Sequence, residues 1–118
     1  MHGAFEGTQG GRQSSSIHQG RQDKHVAGTK NHAREIASGR HPSVLTEDAS
    51  ALLRDGAGKG VIYGHKEVVD YGRVIGRYYD LSKKQYYDTT RATIHYDSKG
   101  NAHIVPALPT SLLRRSKK

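Results

Sequence analysis

Cysteine and tryptophan are absent from this chain, and it holds one phenylalanine, one methionine and three prolines. Without cysteine no disulfide can staple the fold, and a structural zinc site lacks thiolate ligands, although the compartment stays open. No apolar run reaches the length of about 20 residues that spans a bilayer, and the amino end carries no signal-peptide pattern. Leu, Ile, Val and Phe together make up less than a fifth of the chain. With a net charge of +8, that scarcity alone leans towards disorder. Seven tyrosines and stretches of strand-like alternation argue the other way. At 118 residues the reading is one small folded core with loose ends, modestly stable, to which a bound partner would add stability by mass action.

The charge is uneven. Residues 1–60 carry eight Lys/Arg against six acids, and residues 61–118 carry eleven against five. The second half is the more basic, as suits a surface that meets polyanions, although general solubility accounts for such charge equally well.

Residues 1–16 are rich in Gly, Ser and Gln and read as a flexible arm; Met1-His2-Gly3-Ala4 has the look of an arbitrary start, as of a module cut from a longer protein. Ile17 to Gly28 is polar without a regular period and reads as an irregular approach to a helix. Thr29 can cap a helix over Lys30 to Ser38, stopped by Gly39. Thr46-Glu47-Asp48 opens a second helix whose apolar face is Ala49, Leu52 and Leu53. Gly56 to Gly60 ends it; the Walker pattern is missing, so this glycine run reads as a helix stop and turn, not a phosphate loop. Strand candidates follow: Val61 to Tyr63, Glu67 to Tyr71, Val74 to Asp80, Gln85 to Thr90, Ala92 to Tyr96 and His103 to Val105, with a hairpin turn at Leu81-Ser82-Lys83-Lys84. Helices first and an antiparallel meander second is an α+β pattern. Ser111 to Lys118 reads as a disordered basic tail, the tail segment being bounded at 110–118.

Asp97-Ser98-Lys99-Gly100-Asn101 lies between two β-forming runs and predicts a hairpin. If Ser98-Lys99-Gly100 is a three-residue loop with Gly100 in the left-handed region, Asp97 pairs with Asn101, Tyr96 faces Ala102, and His95 lies opposite His103. Arg91 and Thr93 then share the face of His95, and Ile94 and Tyr96 turn the other way. A four-residue loop would part the two histidines. Two imidazoles and a guanidinium on one face are a kit for acid–base chemistry on a phosphodiester.

Other motifs weigh less. His18, His25, His32 and His41 are spaced seven or nine residues apart, which matches no compact metal-ligand motif. Ser14-Ser15-Ser16 has no adjacent base, so a serine nucleophile lacks support. Tyr78, Tyr79, Tyr86 and Tyr87 read first as sheet packing and only second as base-stacking platforms.

Three runs resemble one family. Gly20-Arg21-Gln22-Asp23-Lys24-His25-Val26-Ala27-Gly28-Thr29 is similar to the opening motif of the bacterial polymorphic toxin type 50 domain. Glu67-Val68-Val69-Asp70-Tyr71-Gly72-Arg73-Val74-Ile75-Gly76 resembles its central strands. Ile94 to Gly100, followed by His103-Ile104-Val105-Pro106-Ala107, resembles its closing hairpin. The likeness covers residues 17–109, in order. It implies a ribonuclease toxin with a barnase–EndoU–colicin–RelE-like fold: two N-terminal helices packed on a C-terminal antiparallel sheet. It also implies carriage at the C-terminal end of a secreted or phage-associated protein, with action in the target-cell cytoplasm.

The two lines of reading converge on RNA cleavage without a metal or other cofactor. The ribose 2′-hydroxyl attacks phosphorus, histidine moves protons near its ordinary pKa of about 6.5, and a cation steadies the phosphate oxygens. The acid–base pair is expected to be His25 with His95 or His103, and Lys24 and Arg91 serve the phosphate. Arg21, Thr90, Thr93, Tyr96 and Lys99 complete the expected RNA contacts, although the register turns Tyr96 inward. The expected partners are RNA, with tRNA among the classes, and an acidic immunity protein; no membrane or DNA is expected. The rival readings are a non-catalytic RNA-binding module and a metal-dependent DNase.

Overall fold

The computed structural model describes residues 15–112. The chain runs β1 (Ser16–Ile17), α1 (Gln19–Asp23), α2 (Lys30–Ala37), β2 (Val44–Leu45), α3 (Ala49–Gly56), β3 (Val61–Tyr63), β4 (Lys66–Asp70), β5 (Gly76–Asp80), β6 (Gln85–Thr89), β7 (Arg91–Tyr96) and β8 (Asn101–Pro106). A further helical turn opens at Thr110. The expected arm and tail lie outside the described residues over 1–14 and 113–118.

The strands form two sheets, one of five in the order β1-β8-β7-β4-β3 and one of three in the order β2-β5-β6. This corrects the expectation of two N-terminal helices on a single C-terminal sheet and, with it, the barnase/RelE-like arrangement. The described chain is mostly β, with four short helical segments, and only the broad α+β class stands. The reason lies in the first expected helix. It forms, capped by the Thr29 side chain on the His32 N–H, but it buries no residue. Its one large apolar side chain, Ile36, is 40 % exposed, so this helix has nothing with which to cover a sheet. The stretch read as irregular, Ile17 to Gly28, instead supplies part of β1 and all of α1.

Only α3 serves as a core helix. Asp48 caps it by accepting from the Ala51 N–H, and Leu52 and Leu53 are buried. They pack in one cluster with Val69, Ala92, Ile94, Ala102 and Ile104 of the large sheet and with Leu45 and Ile75. Alternation along β7 and β8 puts every second side chain into this cluster and leaves the opposite face half-exposed. At Gly76 the small sheet meets the large one. A Cβ there would stand 2.7 Å from the Val44 carbonyl oxygen and 2.8 Å from Pro106 Cγ, so only glycine permits the approach.

The glycine run after α3 turns its amides inward. Gly58 and Gly60 donate their N–H groups to the Glu67 carboxylate at 3.0 and 2.8 Å. Glu67 is fully buried, and the Tyr96 hydroxyl donates to it at 2.6 Å. A protein carboxylate thus sits where a phosphate loop would hold a phosphate.

The closing hairpin has the register its loop chemistry predicts. Tyr96 pairs with Ala102 and His95 with His103, and Gly100 has a φ of 83°. The Asp97 carboxylate accepts from the N–H groups of Lys99 and Asn101, both at 2.9 Å, which ties the turn together.

Candidate functional site: a row of three histidines

β1 runs parallel to β8 for two residues, Ser16 beside Asn101 and Ile17 beside Ala102. His18 donates its backbone N–H to the Ala102 carbonyl at 2.7 Å, and its ring caps α1 by accepting from the Arg21 N–H. The pairing would end there, but Gln22 takes it one step further. Its side chain is buried; Nε2 donates to the Ile104 carbonyl at 2.9 Å, and Oε1 accepts the Ile104 N–H at 2.7 Å. The carboxamide offers β8 the donor and acceptor that another strand residue would offer.

That anchor sets α1 against the edge of β8 and brings the following loop, with His25, over the exposed face of the sheet. The His25 carbonyl accepts from the Leu45 N–H at 2.8 Å, and its ring Nδ1 lies 2.7 Å from the Ser43 carbonyl oxygen. A carbonyl can only accept, so Nδ1 carries the proton and the lone pair of the neutral ring is on Nε2.

His25, His103 and His95 stand in a row. The His25 and His103 ring centroids are 6.4 Å apart with planes at 15°; those of His103 and His95 are 4.7 Å apart with planes at 11°. Burial is the first cause pushing all three imidazoles below the ordinary histidine range. For His25 the Ser43 carbonyl opposes the shift and Lys24 adds to it. For His95 the next cause is Lys66, its cross-strand partner on β4. His103, in the middle, is pushed down to about 4, with the charges of His95, His25, Arg21 and His18 reinforcing burial. The free site is therefore a set of neutral imidazoles bordered by cations. It can accept protons, and an arriving anion would offset the burial and the neighbouring cations that keep the rings uncharged.

Of the residues expected from the sequence, the structure brings together His25, His95 and His103, with Lys24 and Arg21 close enough to bear on their charge. Thr93 shares their face, one step along β7. Arg91 is on that face too, but four residues back, about 13 Å along the strand. Its guanidinium donates to the Leu108 carbonyl at 2.9 Å. Thr90 precedes β7 at that same far end, its carbonyl accepting from the Tyr71 N–H. Lys99 lies exposed in the hairpin turn, and Tyr96 is on the reverse face with Glu67. Sequence reasoning missed Lys66, Gln22, His18 and Ser43. Lys66 could have been found only from the β4–β7 pairing, and Gln22 gives no signal within its polar run.

Among the described residues no three His, Cys, Asp or Glu side chains are grouped to hold a metal ion, and no helix is long and apolar enough to cross a membrane. No curated protein and no solved structure matches the chain. The family described as bacterial toxin 50 matches residues 17–106, a span that takes in all three histidines of the row, the Gln22 anchor and, Ser16 apart, both sheets. The chain belongs to the bacterial toxin 50 family, and this fold is that of a toxin domain.

Proposed function

We propose that this toxin domain is a metal-independent endoribonuclease whose proton transfers are made by the histidine row. The observation that carries the reading is His103 standing between His25 and His95, with Lys24, Arg21 and Lys66 around them. The ribose 2′-hydroxyl attacks the neighbouring phosphorus, forming the O2′–P bond as the P–O5′ bond breaks. His25 Nε2, its tautomer fixed by Ser43, takes the 2′ proton. His103 gives a proton to the departing 5′ oxygen. It acquires that proton as the phosphodiester binds, because the anion favours the imidazolium. His95 backs His103 through ring stacking. Lys24, Arg21 and Lys66 offset charge on the phosphate oxygens. The products are a 2′,3′-cyclic phosphate and a free 5′-hydroxyl.

A ribonuclease would destroy the cell that makes it, so the reading includes an inhibitor made alongside it. The cationic rim around the row calls for an acidic inhibitor surface. The proposal also has the domain carried at the C-terminal end of a secreted or phage-associated protein and acting on RNA in the target-cell cytoplasm, as membership of a toxin family suggests. The test is incubation of the purified domain with RNA and with DNA in excess chelator. RNA fragments ending in cyclic phosphate are expected. Activity lost in chelator and restored by a divalent metal would refute the mechanism, and RNA bound but left intact would favour a plain RNA-binding module.

A further inference from the structure

On the far side of Ser43 from the histidine row, the small sheet carries a second site. A cavity of about 640 Å³ is lined by Glu35, Arg40, His41, Tyr79, Leu81 and Lys84, among others. Two aromatic rings, His41 and Tyr79, line it, and Tyr86 packs against Tyr79. Tyr79 and Tyr86 are cross-strand partners in an edge-to-face contact, with centroids 4.9 Å apart, and the Arg77 guanidinium lies over Tyr86 at 5.6 Å. His41 stacks on Tyr79 with centroids 4.9 Å apart and planes at 25°. Exposed to solvent, it forms the outer end of the stack. The platform is held from behind: the Ser43 hydroxyl accepts the Tyr79 N–H at 2.9 Å, and the Tyr86 hydroxyl donates to the Pro42 carbonyl at 3.3 Å.

Lys84 is the only non-glycine residue with positive φ among those described, at 55°. A lysine is strained in this left-handed conformation, which glycine adopts readily. The β5–β6 turn has a lysine there nonetheless, and Lys84 is among the residues that line the cavity. The cavity also adjoins the histidines. Ser43, whose hydroxyl supports Tyr79, holds the His25 ring through its carbonyl, and the charge of Glu35 is felt at His25.

We infer that this cavity binds an unpaired nucleobase of the RNA, stacked on the outer face of His41, with Lys84 at an adjoining phosphate. An aromatic stack ending in solvent beside a cation is the chemistry of single-strand recognition, and a base locked inside a duplex cannot present its face to it. The inference deepens the ribonuclease reading, since it makes the substrate single-stranded next to the scissile bond.

The experiment measures binding apart from cleavage. A short, dye-labelled single strand with 2′-O-methyl riboses has no nucleophile, and its affinity is read by anisotropy at fixed salt, alongside the same sequence as a duplex. The parent domain should prefer the single strand. His41→Ala, a change at an exposed position, should weaken that binding about ten-fold, and His41→Phe should restore it. Lys84→Gly should weaken binding and flatten its salt dependence, while the melting temperature holds or rises because the turn strain is relieved. Unchanged single-strand affinity in both His41→Ala and Lys84→Gly overturns the inference, even if RNA cleavage persists. Conversely, these losses in a domain that cuts no RNA would uphold the base site and remove the ribonuclease reading.

Discussion

The Gln22 side chain exchanges two hydrogen bonds with the peptide of Ile104, 82 residues further along the chain, Nε2 donating at 2.9 Å and Oε1 accepting at 2.7 Å. It joins α1 to the strand that carries His103, so His25 stands beside the hairpin because Gln22 stands in for a strand. Gln22→Ala should leave the Ile104 N–H and carbonyl unsatisfied in a buried place, at about 1–3 kcal/mol for each group. Urea unfolding should show that loss, and cleavage at a temperature where the variant is still folded should fall as well, because His25 loses its anchorage. A variant as stable and as active as the parent would show that the bridge matters little.

Removing the acid–base groups should act on turnover with little effect on folding. His25→Ala and His103→Ala should each slow RNA cleavage by about a hundred- to ten-thousand-fold, with circular dichroism unchanged. His95→Ala should cost less, because in the proposed mechanism that ring acts only through its stacking on His103. Full activity in either of the first two variants removes that residue from the mechanism.

Cations should separate by distance from the row. Lys66→Ala and Lys24→Ala should each lower cleavage and reduce its salt sensitivity, because both charges bear on the histidines. Arg91→Ala should leave turnover close to normal and show its effect in thermal unfolding, since its guanidinium holds the Leu108 carbonyl. The reverse ranking in a cleavage assay would place the scissile phosphate at the Arg91 end of β7.

Stability should depend on pH through the same rings. An unfolded histidine titrates near 6.5, and folded His103 is held down to about 4. Between those values the unfolded chain binds a proton that the folded chain does not, so acid favours unfolding. The contribution is fully present above pH 6.5 and is lost as pH falls towards 4. Urea midpoints at pH 7.5 and 5.5 should differ in that direction, and His103→Gln should shrink the difference. A midpoint that rises on acidification would contradict the assigned direction.

Glu67 should behave as the keystone of the glycine loop. Glu67→Ala strips the partners from two backbone N–H groups and the Tyr96 hydroxyl and leaves a void, so a loss of about 3–5 kcal/mol is expected. Gly60→Ala should be as damaging, because its Cβ would stand 2.2 Å from the Val68 carbonyl oxygen. Both are read by chemical denaturation, and a mild effect of both would mean that this loop adapts easily.

Features governed by neighbouring residues were open to sequence reasoning. The Thr29 and Asp48 caps, the turn before Gln85 and the His95–His103 pairing each follow from local rules, such as a side-chain oxygen ahead of a helix or a glycine able to take a φ of 83°. The face of β7 that carries Arg91, Thr93 and His95 was likewise legible, because side chains alternate whatever the strand packs against. How far Arg91 lies from the histidine row was not, since sharing a face says nothing about which end of a strand the partner segments reach. Long-range pairings decided the rest: β4 setting Lys66 beside His95, Gln22 completing the edge of β8, Ser43 orienting His25, and the division of the strands into two sheets. Each joins segments far apart in the chain, and the backbone and carboxamide groups that make these bonds are alike in kind at many positions. Their partners were selected when burial of Ile94, Ile104 and Leu52 fixed which surfaces met, a condition that no local stretch of sequence contains.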